Sequence, residues 1–230
     1  MRRGGWRFWF AAGLTGGLVS SMAGAMSRAP GAPLSAAALA ARVDRHYNAL
    51  HSLRVGFVQE YDGMGMHRRE SGRLLLAKPG RMRWTYAEPA GKLFVLDGRN
   101  AYFYAPGTTE VQRVPAKKLD DLRSPLRFLL GHAQIEKELA GLTMSPVLAA
   151  RDETLYELSG APKGMEQRVA SFVLTVTADG AIRGIRVEET DGATTAFTFA
   201  GEEANVPAPD GDFVFKAPPG TNIIDGMPPV

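Results

Sequence analysis

The chain has 230 residues, no cysteine, and 27 Lys and Arg against 24 Asp and Glu, for a formal net charge of +3. Three of the basic residues, Arg2, Arg3 and Arg7, stand in the first 25 positions, which hold no acid, so the remainder carries 24 of each sign and is formally neutral. The pI of about 9.3 therefore belongs partly to the N-terminus and is no nucleic-acid footprint, while the lack of cysteine excludes a disulfide scaffold and leaves stability to a packed core.

Residues 1–25 read as a cleaved secretory signal. The arginines form a positive start, Phe8 to Ser20 is an apolar run shorter than the ~20 residues of a membrane span, and Ala23-Gly24-Ala25 is a small-x-small site with cleavage expected after Ala25. General secretion is the expected route, since Arg2-Arg3 lacks the surroundings of a twin-arginine signal. With no cysteine near the cut, the exported chain is not expected to be lipidated. Residues 26–33, rich in Ala, Gly and Pro, read as a flexible tail, and residues 34–230 as one domain.

Ser35 is a candidate N-cap for a helix with Leu39, Val43, Tyr47 and Leu50 on one face. Ser52 to Tyr61, with Val55, Phe57 and Val58, reads as the first long strand, ending in a flexible hairpin tip at Asp62-Gly63 and Met64-Gly65. From Ser71 to Pro89 two apolar runs are joined through Pro79-Gly80. In the second, alternation puts Met82, Trp84 and Tyr86 on one face and Arg81, Arg83 and Thr85 on the other, a greasy side and a wet one.

Further turn signals at Asp97-Gly98, Asp179-Gly180 and Asp191-Gly192 force antiparallel pairing between short runs at 92–96, 101–104, 155–158, 171–176, 182–188, 195–199 and 213–215. Such a sheet has one apolar face and must curl or pack on helices to hide it. Short helices are expected over Val114 to Leu122 and over Ser124 to Leu130. The second has Ser124 as cap, Pro125 in its first turn and Leu126, Leu129 and Leu130 on its apolar side; Ala133 to Leu139 adds a turn or two. Asn205 to Asp212 and Ala217 to Gly220 read as loops, and Thr221 to Val230 as a terminal strand stub or tail. The fold class is mainly β, with α+β character. The central helical section argues against an integral outer-membrane barrel.

No catalytic constellation assembles. His46 and His51, five apart, point to different sides of a helix, and with His67 and His132 they read as solvated or partly packed. There is no Gly-x-Ser-x-Gly elbow and no phosphate loop, while Glu188-Glu189 and Glu202-Glu203 read as exposed acids near turns. No cofactor, metal or enzymatic activity is expected. What remains is apolar surface: Leu74, Leu76, Met82, Trp84, Leu96 and Phe103 read, from the residues alone, as core packing before they read as a cavity lining.

An ordered set of motifs bears on that choice. It comprises Ser71-Gly72, Lys78-Pro79-Gly80, Arg83-Trp84 followed by Pro89, Val95-Leu96-Asp97-Gly98 with Tyr102-Phe103-Tyr104, Ser124-Pro125-Leu126 with Leu129-Leu130, and Phe213 to Gly220. The set resembles the LolA family of periplasmic lipoprotein carriers. The resemblance implies an unclosed, strongly curved antiparallel half-barrel covered by short lid helices. Leu74, Leu76, Met82, Trp84, Leu96 and Phe103 would then line an acyl-chain cavity under a lid bearing Leu126, Leu129 and Leu130. It also implies a latch at Lys78, where the family commonly has an arginine that reaches lid carbonyls; lysine lacks the planar fork, so the latch is weaker or differently made, or the side chain turns to solvent. Met82 stands where an aromatic is frequent, which bears on the entry site.

The partners implied are acylated lipoproteins, an inner-membrane lipoprotein-releasing ABC transporter and an outer-membrane receptor lipoprotein. The protein would be a periplasmic monomer, with no nucleic acid bound and no integral membrane segment. The alternatives are a lipid- or lipopeptide-binding envelope sensor domain on the same half-barrel, and a periplasmic hydrolase.

Overall fold

A computed structural model describes residues 34–118, 134–148 and 154–226. The signal segment, the tail, His132 and the expected helix with Leu126, Leu129 and Leu130 lie outside the described residues. In chain order the elements are α1 (Ala36–Ala49), β1 (Ser52–Gly63), β2 (Met66–Ala77), β3 (Arg81–Glu88), β4 (Leu93–Asp97), β5 (Asn100–Tyr104) and β6 (Glu110–Pro115). A 3-10 turn (Ala116–Lys118) follows, then α2 (Ile135–Glu138), β7 (Leu139–Leu148), β8 (Thr154–Pro162), β9 (Val169–Thr177), β10 (Ile182–Glu189) and β11 (Thr194–Ala204). A second 3-10 turn (Asp210–Phe213) precedes β12 (Asn222–Asp225).

All twelve strands form one open sheet in the order β12-β6-β5-β4-β3-β2-β1-β11-β10-β9-β8-β7. The chain lays down β1 to β6 by successive hairpins, crosses to the opposite edge at β7, and steps back until β11 pairs with β1. Pairing is antiparallel except at the last strand, where β12 runs parallel to β6. The sheet curls toward its apolar face. Trp84 on β3 meets Phe197 on β11 with ring centroids 5.8 Å apart, although strands three positions apart lie about 14 Å from each other in a flat sheet.

That inner face carries α1. Ser35 caps the helix by accepting from Ala38 N at 3.2 Å, and Leu39, Ala40, Val43 and Tyr47 are buried. The β9–β10 turn abuts the helix backbone: a Cβ on Gly180 would lie 2.6 Å from the Arg42 carbonyl carbon and 2.7 Å from Val43 N, at a backbone φ of +101°. Arg42 donates to Ala178 O at 2.6 Å across the same contact. Tyr47 completes the docking. Its hydroxyl accepts from Ile182 N at 2.9 Å and donates to Glu202 Oε2 at 2.9 Å, while Glu202 Oε1 lies 2.6 Å from His46 Nε2. Burial, with the charge of Glu202 adding to it, pushes the phenol above its ordinary range, so it stays a donor.

Several expectations are corrected. Glu202 is not an exposed acid: neighbours on a strand do point apart, and Glu202 is the one that turns to α1, while Glu203 remains exposed beside Arg54. Because α1 ends at Ala49, His51 lies beyond the helix, where its N–H donates to Asn205 Oδ1 at 2.8 Å. Val114-Pro115 end a strand and do not open a helix. Val111 and Val114, three apart and so on opposite faces of the strand, are both buried, and the alternation that marks a one-faced strand is lost. Phe213 to Phe215 is not a strand either. Phe213 ends the 3-10 turn, buried under Arg81 with the guanidinium carbon 5.2 Å from its ring centre, and Phe215 stacks on Tyr102 at 4.9 Å. The arginine face of β3 is thus partly covered, with Arg81 paired to Asp210 and Arg83 donating to Asp212 O at 3.2 Å.

Gly180→Ala is expected to lose about 2 kcal/mol of stability, because the methyl meets helix backbone at a positive φ. Urea unfolding checks this, and a loss under about 0.5 kcal/mol would contradict the described contact.

Candidate functional site

Strand register sorts the inner face of β1 to β5 into rows. In the row nearest the start of β1, Leu53 faces Leu76, Leu76 faces Met82, Met82 faces Leu96 and Leu96 faces Ala101. The next row runs Val55, Leu74, Trp84, Phe94 and Phe103 by the same pairings. All six expected cavity residues therefore fall in two adjacent rows, three in each. Leu74, Leu76, Met82, Trp84 and Leu96 are buried and Phe103 is half-buried.

The third row is Phe57, Gly72 and Tyr86. A Cβ on Gly72 would lie 2.2 Å from Thr85 O and 3.0 Å from the Phe57 ring. Only glycine lets the two aromatics meet there, edge to face with centroids 5.1 Å apart. Phe57 also touches Trp84 at 4.6 Å, so Trp84 on β3 joins Phe57 on β1 to Phe197 on β11. Trp84 is 2% exposed, and its indole nitrogen has no hydrogen-bond partner among the described residues.

Beyond the aromatics the face turns polar. Gln59 and Glu70 face each other across β1 and β2, and Lys92 Nζ donates to Glu70 at 2.7 and 2.6 Å. The same ammonium lies 4.5 Å from the centre of the Tyr86 ring, whose hydroxyl reaches Gln59 Oε1 at 3.4 Å. Burial, with Glu70 adding, pushes the Tyr86 phenol above its usual range. These polar residues escaped the sequence reading, because Gln59, Glu70 and Lys92 come from three separate stretches. The signal that could have found them was the β1–β2 register, which the two-residue turn Met64-Gly65 sets.

Lys78 sits in the turn between β2 and β3. Its ammonium donates to the carbonyls of Tyr47 and, at 3.2 Å, of Asn48, among the last acceptors of α1. Burial lowers its pKa. The side-chain hydrogen bonds of Lys78 are thus with the N-terminal helix, and the segment expected to carry the central lid lies outside the described residues. No group of three or more His, Cys, Asp or Glu among the described residues could hold a metal ion.

An open, curled antiparallel sheet with one apolar face and a helix laid against it defines a half-barrel. The family model for the outer membrane lipoprotein carrier protein LolA matches residues 48–216, and the chain belongs to that family. The outer-membrane lipoprotein carrier protein of Nitrosospira multiformis is 28% identical over 177 residues, 75% of this chain and 82% of its own length. That of Chromobacterium violaceum is 25% identical over 204 residues, 89% of this chain and 95% of its own. Among solved structures, a LolA superfamily protein from Nitrosomonas europaea aligns with TM-score 0.41 and 12% identity, over 79% of this chain and 98% of that one.

Lys78→Ala should weaken the C-terminal turn of α1, with faster amide exchange at Leu50, whose N–H bonds Tyr47 O at 3.3 Å, and a stability loss of about 1 kcal/mol. Lys78→Arg should keep most of both. Unchanged exchange in the alanine variant would contradict the capping role.

Proposed function

We propose that this protein carries acylated lipoproteins across the periplasm, taking them from an inner-membrane ABC release complex and handing them to an outer-membrane receptor lipoprotein. The observation that carries the proposal is the span of the family match. Residues 48–216 contain every residue of the two apolar rows, so the part of the chain shared with the carrier family is the part that builds the apolar face. In this reading the acyl chains lie against Leu74, Leu76, Met82, Trp84, Leu96 and Phe103. The central segment with Leu126, Leu129 and Leu130 acts as a lid, and Lys78 holds the resting arrangement. The protein acts in its exported form, cut after Ala25, by binding and release without covalent chemistry.

The physics suits that task. Each buried methylene is worth about 0.8 kcal/mol, so a cargo with several long chains neither stays in water nor leaves a bilayer unaided. The shelter must also release. Met82, unbranched and adaptable, suits a surface that repacks around chains of different length.

The exported protein, mixed with inner-membrane vesicles holding triacylated lipoprotein, the ABC transporter and ATP, should gather lipoprotein into the soluble fraction. Phe103→Glu and Leu129→Glu should each reduce that yield more than tenfold while circular dichroism stays unchanged. No soluble complex with the unaltered protein would contradict the proposal. Normal yield from both folded variants would contradict the assignment of the site.

A further inference from the structure

Buried hydrogen-bond donors in folded proteins are almost always partnered, and one left alone costs about 1–3 kcal/mol. Trp84 breaks that rule in the middle of the apolar face. Its indole nitrogen is buried in the second row, between Leu74 and Phe94, with no acceptor among the described residues. The rings at 4.6 Å (Phe57) and 5.8 Å (Phe197) pack edge to face and offer at most a weak N–H contact with their π faces. Phenylalanine would supply an aromatic ring here with no orphaned donor, so the N–H itself calls for an explanation.

Its place in the row sequence supplies one. The row on one side is wholly aliphatic. On the other side, one step of about 7 Å along β3, stands Tyr86, whose ring carries the Lys92 ammonium and whose hydroxyl points to Gln59. Passing across the face, the rows therefore run from hydrocarbon, through a single buried N–H donor, to charge and hydroxyl. An acylated molecule presents the same order of groups: hydrocarbon chain, then the carbonyl that joins it, then the polar backbone.

We infer that the Trp84 indole N–H donates a hydrogen bond to one acyl carbonyl of a bound lipid moiety, fixing how far that chain enters the face. The inference rests on the carrier reading proposed above. It adds a specificity the carrier reading does not require, a preference for acyl over alkyl chains. The shared chemistry is a carbonyl next to a hydrocarbon chain, whether ester-linked to glycerol or amide-linked to an amino group.

The test uses two short-chain phosphatidylcholines of equal alkyl length and headgroup, one diester and one diether, with an N-acyl amide of the same chain length as a third probe. Binding is measured by calorimetry on the exported protein and on Trp84→Phe. After removal of residues 1–25, Trp84 is the sole tryptophan, so a single indole N–H resonance reports on it directly. The unaltered protein should bind the diester about five- to tenfold more tightly than the diether, and the indole proton should shift downfield with the diester and not with the diether. Trp84→Phe should bind diester and diether alike, losing the ester preference of the unaltered protein. A tighter amide than ester would assign the amide carbonyl as the acceptor and support the same donor. Equal affinity for diester and diether, with an unmoved indole resonance, would overturn the inference and leave the carrier reading standing. Binding of none of the probes would count against the acyl-binding reading and the inference together. Should Trp84→Phe fail to fold, the ester-to-ether ratio and the indole resonance of the unaltered protein still decide.

Discussion

Contact between aromatic side chains on strands that are not neighbours is the interaction on which the rest depends. Phe57, Trp84 and Phe197 come from β1, β3 and β11, and their rings meet edge to face at 4.6 and 5.8 Å. Such pairs are worth about 0.5–1.5 kcal/mol beyond the area they bury. They draw the sheet into a curve, and only a curved sheet gathers its apolar side chains around one interior while both edges stay open. Gly72 belongs to the same device, since any side chain there would strike the backbone of β3 and the ring of Phe57.

Against that curve α1 buries Leu39, Ala40, Val43 and Tyr47, and polar groups at defined points fix its position. Tyr47 and Glu202 hold it to β10 and β11, Arg42 to the β9–β10 turn, and Lys78 caps its end from the β2–β3 turn. Hydrogen bonds to charged groups have strict geometry and are worth about 1.5–3 kcal/mol each. On the outer face Arg81, Phe213, Phe215 and Tyr102 clamp the C-terminal segment across β3 to β5, and β12 extends the edge at β6.

Much of this was legible in the sequence where one physical signal dominated. Ser35 and the spacing of Leu39, Val43 and Tyr47 announce α1, and the Asp-Gly turns announce the hairpins. Period-two alternation with short turns was enough to put the six expected residues in adjacent rows. Elsewhere signals conflict. Val114 reads as opening a helix because β6 buries residues on both faces and shows no alternation, and β7, an edge strand that carries Gly141 and Pro146, was not expected from the sequence. The polar row of Gln59, Glu70 and Lys92 and the acceptors of Lys78 depend on pairings between distant stretches, which no local pattern encodes.

The central claim is that acyl chains occupy the face on which Trp84 stands. Trp84 fluorescence in the exported protein, measured in complex with a lipid carrying bromine along its acyl chains and compared with the unbrominated lipid, tests it most directly. Strong quenching by the brominated chains is expected. Full emission from a complex shown to be saturated would place the chains elsewhere and contradict the claim.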